Sequence, residues 1–406
     1  MQTVETKLLS AVLGREESLF AEPIATAAAE LTDAIRGSKV LIIGAAGSIG
    51  SAFSKQVADY HPEALHLVDI DENGLVEVVR DLHSSRTTVA KDFQTFSIGL
   101  GGPEFSAFID NAANYDAVLN FAALKHVRAE RDPYSMLRML NTNVVYLDDL
   151  LTGLASKSSV KRAFSVSSDK SVNPASAMGS SKTLMEEVLW LHSNRYNTST
   201  ARFANVAFSA GSLLESFLVR IKKKQPLAAP SDVKRFFISH EEAGQLCLLG
   251  AFLGNNREVV YPGLSPQDDM LTFAEIALMV LEHCGYEPLY CESEAEARAA
   301  AEQIQPEQAT HWPVYFSTSD TSGEKMYEEF HTAGDELITD RWANVGVVKI
   351  PGLSEERTQP LQQGMNRIRS ASATGQFSKS ALIDILKSLV PGLNHVETGS
   401  SLDAKM

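Results

Sequence analysis

The segment SVSSDKSVNPASAMGSSK brings together several side chains that can carry protons. Ser168, Asp169 and Lys170 are consecutive, and a proline after them delays the next helix. In that helix Met178 and Lys182 are four residues apart, which places them on one face. A carboxyl group beside an amine can act as general acid and general base, provided that burial raises the pKa of the acid and lowers that of the lysine. The alternative is a buried ion pair that only closes the end of a strand.

The sequence before and after this segment alternates between apolar strands and helical patterns. KVLIIGA at 39–45 is a short apolar run ending near glycine, which is typical of a strand buried on both faces. Further strand patterns occur at 64–70, 92–99, 115–123, 162–168 and 198–207. This alternation predicts an α/β fold with a doubly wound parallel Rossmann sheet and a smaller α/β C-terminal substrate-binding domain.

A sheet of this kind binds ligands at the carboxyl ends of its strands. GAAGSIG follows the first strand, and its glycines, Gly44, Gly47 and Gly50, permit a tight turn and close approach of backbone to a diphosphate. Ser48 and Ile49 open the helix whose amide groups would bind that diphosphate. The pattern predicts a dinucleotide site, although a tight strand-to-helix turn has similar glycines.

Asp69 ends the second strand and favours NAD as the cofactor. A carboxylate there can accept hydrogen bonds from the ribose hydroxyls of NAD and repels the additional phosphate of NADP, which is the less favoured alternative. Asp69 could instead cap the following helix, a role that Asp71 could serve equally well.

The fourth strand is followed by small and polar residues. Ala122 and Ala123 leave space for a flat group against the strand end. Lys125 either holds a phosphate or is a solvated lysine, and His126 is better interpreted as part of the pocket wall than as a catalytic group. Asn143 stands in a largely apolar helix, so it either orients the site or makes a local structural hydrogen bond.

Charge and composition exclude several classes of function. The 406 residues carry a formal net charge of -15, which argues against a nucleic-acid partner. No apolar run is long enough to span a bilayer, and the N-terminal segment is acidic, unlike a cleavable signal. The three cysteines lack metal-ligand spacing. We therefore expect a cytoplasmic protein with reduced thiols, no metal, and no membrane partner.

The order of the motifs resembles that of the extended short-chain dehydrogenase/reductases, and most closely the UDP-N-acetylglucosamine 4,6-dehydratase branch of bacterial polysaccharide synthesis. The resemblance covers residues 39–250. It is carried by GAAGSIGS, LVDIDENGL, NFAALKHV, RDPYSMLRMLNTNV, SVSSDKSVNPASAMGSSK, RFANV and RFFISHEEAGQL. Most short-chain dehydrogenases have a tyrosine four residues before the lysine, where this chain has Met178. A thioether cannot take a proton, but some members of the dehydratase branch also carry methionine there.

The resemblance implies a redox-neutral dehydration of a nucleotide sugar, with a UDP-sugar as the first expectation. NAD would oxidise C4, a base would remove the C5 proton, the C6 hydroxyl would leave as water, and the hydride would return to C6. Carried over by position, Lys170 would be the base and Asp169 the acid. Ser168 would bond the C4 oxygen, and Lys182 would hold the nicotinamide ribose.

Two further residues are similar to diphosphate-binding residues of the family. Asn205 matches an asparagine that contacts the diphosphate, and Arg235 an arginine that clamps it. A turn-capping amide and a surface ion pair are their simpler interpretations. The chain departs from many relatives at Ala210, where arginine is common, and in GLGG after the third strand, where an adenine-contacting aspartate is common.

Four regions are expected along the chain: a helical N-terminal extension at 1–38, an NAD-binding Rossmann domain at 39–210 to which parts of 235–260 return, a mainly substrate-binding region at 211–376, and a C-terminal helix and polar tail at 377–406. WPVYFSTSDTSGEKMYEEF is turn-rich and suits closure over a nucleotide or a subunit contact, although ordinary packing explains its aromatics. A homo-oligomer is expected. A nucleotide-sugar 4-epimerase and a non-catalytic binding protein remain as alternative functions.

Overall fold

The computed structural model describes residues 2–111, 114–155, 157, 159–305, 308–319, 325 and 327–393. The strands are β1 Lys39–Ile43, β2 Ala64–Asp69, β3 Asp92–Ser97, β4 Ala117–Asn120, β5 Arg162–Val166, β6 Asn197–Ala201, β7 Asn205–Val206, β8 Leu227–Pro230, β9 Lys234–Ile238, β10 Glu258–Pro262, β11 Met270–Thr272, β12 Glu287–Tyr290, β13 His311–Ser317, β14 Glu336–Trp342 and β15 Val345–Lys349. The helices are α1 Gln2–Leu13, α2 Ala21–Thr26, α3 Ala28–Ile35, α4 Ser48–Ala58, α5 Glu72–Ser85, α6 Pro103–Asn111, α7 Pro133–Leu140, α8 Tyr146–Leu154, α9 Ala177–Leu191, α10 Leu213–Lys222, α11 His240–Leu248, α12 Phe273–Cys284, α13 Glu294–Glu302, α14 Glu355–Thr374 and α15 Lys379–Leu389.

A nine-stranded sheet forms the centre of the molecule, in the order β14-β15-β10-β6-β5-β4-β1-β2-β3. Within this sheet the neighbouring strands β10, β6, β5, β4, β1, β2 and β3 are parallel. β15 and β14 add to the β10 edge in antiparallel orientation. Apolar strands such as β1 are buried because helices cover both faces. The predicted doubly wound α/β sheet is confirmed.

The strand order reverses at β1, which lies between β2 and β4. From β1 the chain winds outward in one direction to β3 and in the other through β4, β5 and β6. A crevice therefore opens between the carboxyl ends of β1 and β4, where the sequence predicts the ligand site.

The region after residue 210 divides between this sheet and two small three-stranded sheets. β14 and β15 belong to the central sheet, although they fall within the region predicted to be mainly substrate-binding. The small sheets have the orders β11-β9-β7 and β12-β13-β8. They enclose a second apolar core with α10 and α12, to which α1 contributes Leu8 and Val12.

The strand predicted at 198–207 is two strands. β6 ends at Ala201, and Asn205–Val206 pairs with β9 in a small sheet. Between them Arg202 is buried and forms an ion pair with Glu186, Nη2 to Oε2 at 2.7 Å. The chain thus leaves the central sheet after satisfying a buried charge, a feature that strand periodicity does not report.

The C-terminal helix α15 packs on α7, α9 and α14. The tail at 394–406 and parts of the segment WPVYFSTSDTSGEKMYEEF lie outside the described residues. In the described part of the chain, none of the helices combines the length and apolarity that a bilayer crossing requires.

Candidate active site

A cavity of about 390 Å³ opens at the carboxyl ends of β1, β4 and β5. The glycine-rich loop after β1 lines one side and the turn after β5 lines another. Its lining includes the predicted site residues Gly47, Ser48, Ile49, Gly50, Ala123, Lys125, His126, Ser168, Asp169, Lys170, Lys182 and Asn205. The structure therefore brings together most of the residues that the motifs indicate.

The glycine-rich loop presents an uncapped helix start to this cavity. Gly44 has a φ of +80° and faces the backbone of Ala122, so a side chain would be both strained and obstructed there. Gly50 packs on the carbonyl group of Gly44, where a Cβ would overlap the oxygen. Gly47 is exposed, and no side chain of the described residues caps its helix. The first amides of α4 are thus available to an anionic group.

Asp69 is held against the loop by backbone hydrogen bonds. Its Oδ2 accepts from the amide of Ala46 at 2.8 Å, and its Oδ1 accepts from the amide of Asp71 at 2.9 Å. Asp71, and not Asp69, caps α5 through Gly74. The capping alternative for Asp69 is therefore unnecessary, and its carboxylate lies beside the loop, where a ribose could contact it.

Ser168, Asp169 and Lys170 form a short hydrogen-bonded chain in the turn after β5. The Ser168 hydroxyl donates to Asp169 Oδ1 at 2.6 Å, and Lys170 Nζ donates to the same oxygen at 3.1 Å. Asp169 is 2% exposed, whereas the Lys170 side chain is 25% exposed. One carboxylate oxygen is thus shared by a hydroxyl that lines the cavity and an ammonium that lines it.

Lys182 lies deeper, on α9. Burial lowers its pKa to about 8, opposed by the nearby charge of Glu186. Its Nζ donates to the carbonyl of Val166 at 2.9 Å. Met178, one turn earlier, lines the cavity and is 2% exposed. Glu130 accepts from the amide of Met178 at 2.8 Å, which fixes the start of this helix.

Five predicted site residues do not line the cavity: Gly44, Asp69 and Ala122 at the glycine-rich loop, and Asn143 and Arg235. Asn143 is buried, accepts from the amide of Leu124 at 2.9 Å, and donates to the carbonyl of Leu124 and to Ser181. Arg235 is 3% exposed, on β9, and lies 3.9 Å from Glu328. Asn143 thus has the geometry of the structural alternative, and Arg235 lies beside a buried carboxylate that, like Arg235 itself, does not line the cavity.

Sequence reasoning missed Glu328. Its side chain is 4% exposed, and its Oε1 lies 3.8 Å from Lys170 Nζ. No strand or helix pattern marks it, because it lies in an irregular stretch between β13 and β14. Its neighbours Phe330 and Lys325 were apparent only as parts of a turn-rich segment. Nothing in the sequence alone identifies Glu328 as a site residue.

The chain matches the family model described as "Polysaccharide biosynthesis protein" over residues 40–349. It is 30% identical over 239 residues, 57% of this chain and 68% of the other, to "Uncharacterized membrane protein MJ1061" of Methanocaldococcus jannaschii. It is 26% identical over 318 residues to "Probable polysaccharide biosynthesis protein EpsC" of Bacillus subtilis, covering 77% of this chain and 48% of EpsC. The chain therefore spans about half the length of EpsC.

A solved structure shares the fold. The UDP-glucuronic acid 4-epimerase from Bacillus cereus, in complex with UDP-glucuronic acid and NAD, superposes with a TM-score of 0.52 at 15% identity. The match covers 86% of this chain and 99% of that chain. At this identity the likeness supports the architecture of the sheet and the crevice.

Proposed function

The chain belongs to the polysaccharide biosynthesis family of extended short-chain dehydrogenase/reductases, which modify nucleotide sugars, and we propose that it is an NAD-dependent nucleotide-sugar 4,6-dehydratase. UDP-N-acetylglucosamine is the proposed substrate. The observation that carries the proposal is the Ser168–Asp169–Lys170 chain, in which an acid and an amine share a cavity with the dinucleotide loop. A reaction that only oxidises C4 would not require an acid for the C6 hydroxyl, which is the role proposed for Asp169.

The residues around the crevice fit NAD. The open start of α4 at Gly47 suits the diphosphate, and the Asp69 carboxylate suits ribose hydroxyls. Lys182, a buried residue that lines the cavity, would hold the nicotinamide ribose. When bound, NAD supplies a hydride acceptor for C4 and a hydride donor for C6. Because the cofactor is regenerated in each turnover, we expect it to remain with the protein through purification.

Ser168 offers a route for the proton of the C4 hydroxyl. Its Oγ already donates to Asp169 Oδ1, so it can accept the C4 hydroxyl proton while it passes its own to the aspartate. This transfer leaves Asp169 protonated, which is the form that an acid at C6 must have. Met178 has no proton to exchange, so the route through Ser168 replaces the one that a tyrosine would provide.

Lys170 then acts as the base at C5. In its neutral form it takes the C5 proton, which the 4-keto group has made acidic, and becomes an ammonium. Asp169 gives its proton to the C6 hydroxyl, which leaves as water. The resulting ammonium and carboxylate are 3.1 Å apart, so the two charges created in this step stabilise each other. When the hydride returns to C6, Lys170 donates its proton, which exchanges with solvent, to C5, and this leaves the lysine neutral and the aspartate ionised, as at the start.

The test is mass spectrometry of UDP-N-acetylglucosamine incubated with the purified protein in deuterated water without added cofactor. We expect a product lighter by one water that carries solvent deuterium at C5. Lys170→Ala should form no product and keep its NAD. Lys161→Ala is the matched control, because Lys161 precedes β5 at its other end and has a 77% exposed side chain. An active Lys170→Ala variant would exclude this lysine as the base.

A 4-epimerase is the second candidate, and the fold of the Bacillus cereus epimerase favours it. Epimerisation inverts C4 without loss of water, so the substrate mass would stay constant while a new isomer appears. An unchanged substrate in a protein that contains NAD would favour first another sugar nucleotide and then the non-catalytic alternative. The buried acid at Asp169 supports the dehydratase, because epimerisation requires no acid at C6.

A further inference from the structure

Glu328 brings a second carboxylate to Lys170. Its Oε1 lies 3.8 Å from Lys170 Nζ and 3.9 Å from Arg235 Nη2. Its Oε2 lies 3.5 Å from Lys325 Nζ and has no hydrogen-bond partner among the described residues. Lys170 therefore stands between two carboxylates, Asp169 at 3.1 Å and Glu328 at 3.8 Å.

The stretch that carries Glu328 is attached to the catalytic turn and to the sheet. Lys325 Nζ donates to the carbonyl of Val172, just after the turn, at 2.6 Å. The carbonyl of Phe330 accepts from Arg202 at 2.8 Å. The Phe330 ring stacks on Phe236 with ring centroids 5.3 Å apart. These contacts on both sides fix the position of Glu328 relative to Lys170.

Because Glu328 is buried, its charge acts strongly on the side chains around it. Desolvation raises the pKa of its carboxyl group, and Asp169 raises it further, while Lys170, Arg235 and Lys325 oppose the rise. Burial thus favours the protonated form of Glu328, and the three cations around it favour the carboxylate. A carboxylate this close to an ammonium raises the proton affinity of the amine.

The second carboxylate also changes what Asp169 can do. An aspartate that is the sole counter-ion of a lysine is a poor acid, because the ammonium stabilises its ionised form. When two carboxylates share one ammonium, their mutual repulsion favours a proton on one of them. Asp169, which receives a hydrogen bond from Ser168, is the one placed to carry it to the substrate.

We propose that Glu328 is a positioning residue of the dehydration site, whose carboxylate shares the Lys170 ammonium with Asp169 and sets the proton affinity of the base. The inference rests on the proposed role of Lys170 in the dehydratase. Glu328 does not line the cavity and acts through Lys170. The groups that face it are Lys170 and Asp169 of the turn, Arg235 of β9, and Lys325 of its own segment.

The experiment measures the pKa of Lys170 without requiring turnover. The protein with its NAD is labelled with acetic anhydride over a range of pH, and the extent of Lys170 acetylation is read by peptide mass spectrometry. We expect Glu328→Gln to lower the apparent pKa of Lys170 by about 1 unit or more. Glu329→Gln is the matched control, because Glu329 is adjacent and exposed, and it should leave that pKa unchanged.

Glu328→Asp is the second variant, and it is decisive if the glutamine variant does not fold. It keeps the charge but withdraws it from the lysine, so we expect a smaller decrease in the same direction. An unchanged Lys170 pKa in the folded variants overturns the inference, as does an equal shift in the Glu329→Gln control.

Turnover separates this inference from the proposed function. In an active dehydratase, the rise of activity with pH that follows Lys170 deprotonation should move to lower pH in Glu328→Gln by the same amount. A shifted labelling pKa in a protein that forms no dehydrated product would refute the dehydratase and leave the Glu328–Lys170 coupling established. Dehydration with an unchanged labelling pKa would do the opposite.

Discussion

Alanine at Gly47 and at Gly50 should have opposite effects on cofactor binding and on stability. At Gly47 the backbone has a φ of -65° and a ψ of 162°, which any residue can adopt. A Cβ there would meet only the carbonyl oxygen of Gly44, at 3.5 Å, an ordinary contact distance. The folded protein therefore has room for the methyl group, and the diphosphate is what the methyl group would displace.

The magnitudes differ accordingly. If the methyl group at Gly47 removes one hydrogen bond between an amide and the diphosphate, the loss is about 1.5–3 kcal/mol, or about tenfold to more than a hundredfold in NAD affinity. At Gly50 a Cβ would overlap the Gly44 oxygen and would lie 3.0 Å from its carbonyl carbon and 3.1 Å from the Cα of Ala45. Backbone atoms cannot swing away, so we expect Gly50→Ala to cost about 1–3 kcal/mol of stability.

The assay combines NAD titration of cofactor-stripped protein with thermal unfolding in the absence of NAD. Gly47→Ala should unfold close to the wild-type temperature and bind NAD weakly, whereas Gly50→Ala should unfold earlier even without the cofactor. Wild-type NAD affinity in Gly47→Ala would show that the diphosphate does not approach this amide, and the assignment of the crevice would be wrong. Wild-type stability in Gly50→Ala would show that the loop is looser than its contacts indicate.

Three further substitutions test the catalytic turn and its surroundings. Asp169→Asn removes both the acceptor of the C4 proton and the acid at C6, so it should slow turnover by about 10²–10⁴-fold, and mass spectrometry should find little deuterium at C5 of the recovered substrate. The pKa of Lys182 is 10.5 in the unfolded chain and about 8 in the folded protein, where burial disfavours the ammonium. The buried charge therefore lowers the free energy of unfolding in full below pH 8, and this loss disappears as the pH rises to 10.5. Urea denaturation should show the free energy of unfolding of the wild type rising relative to that of Lys182→Met by about 1.4 kcal/mol per pH unit between pH 8 and 10.5. If the free energies of the two proteins changed in parallel with pH, the lowered pKa of Lys182 would be contradicted. Asn143→Ala leaves the Leu124 amide and carbonyl without their partner and should cost about 1–3 kcal/mol by the same method, whereas unchanged stability would return Asn143 to a role in the site.

The sequence allowed the sheet and most of the cavity to be predicted, because each depends on local patterns. An apolar strand followed by GAAGSIG fixes both a strand and the loop that ends it, and Ser168, Asp169 and Lys170 are consecutive in the chain. The contacts of Arg235 depend on a partner from another region. Its sequence context resembled a diphosphate clamp, whereas its guanidinium lies beside Glu328, which an irregular stretch supplies.

The same distinction applies to β14 and β15, which lie within a region assigned mainly to substrate binding. Their pairing with β10 is antiparallel and long-range, and alternating or apolar patterns identify a strand without identifying its neighbour. Conversely, the buried pair of Arg202 and Glu186 ended a predicted strand early. Where a buried charged side chain needs a partner of opposite charge, contacts with distant residues decide where a strand ends.

The methionine at position 178, where a tyrosine is usual, offers one explanation for the charges of Asp169, Lys170 and Glu328. A phenol would take the C4 proton by itself, and the acid and the base could then act independently of that step. In the proposed dehydration, with a thioether in its place, the C4 proton would travel through Ser168 to Asp169, which would have to accept it although the Lys170 nitrogen lies 3.1 Å away. An ionised Glu328, 3.8 Å from the same nitrogen, would offset that attraction. If the proposal is correct, the methionine and the second carboxylate belong to one arrangement, and Met178→Tyr should make the rate of dehydration less dependent on Glu328.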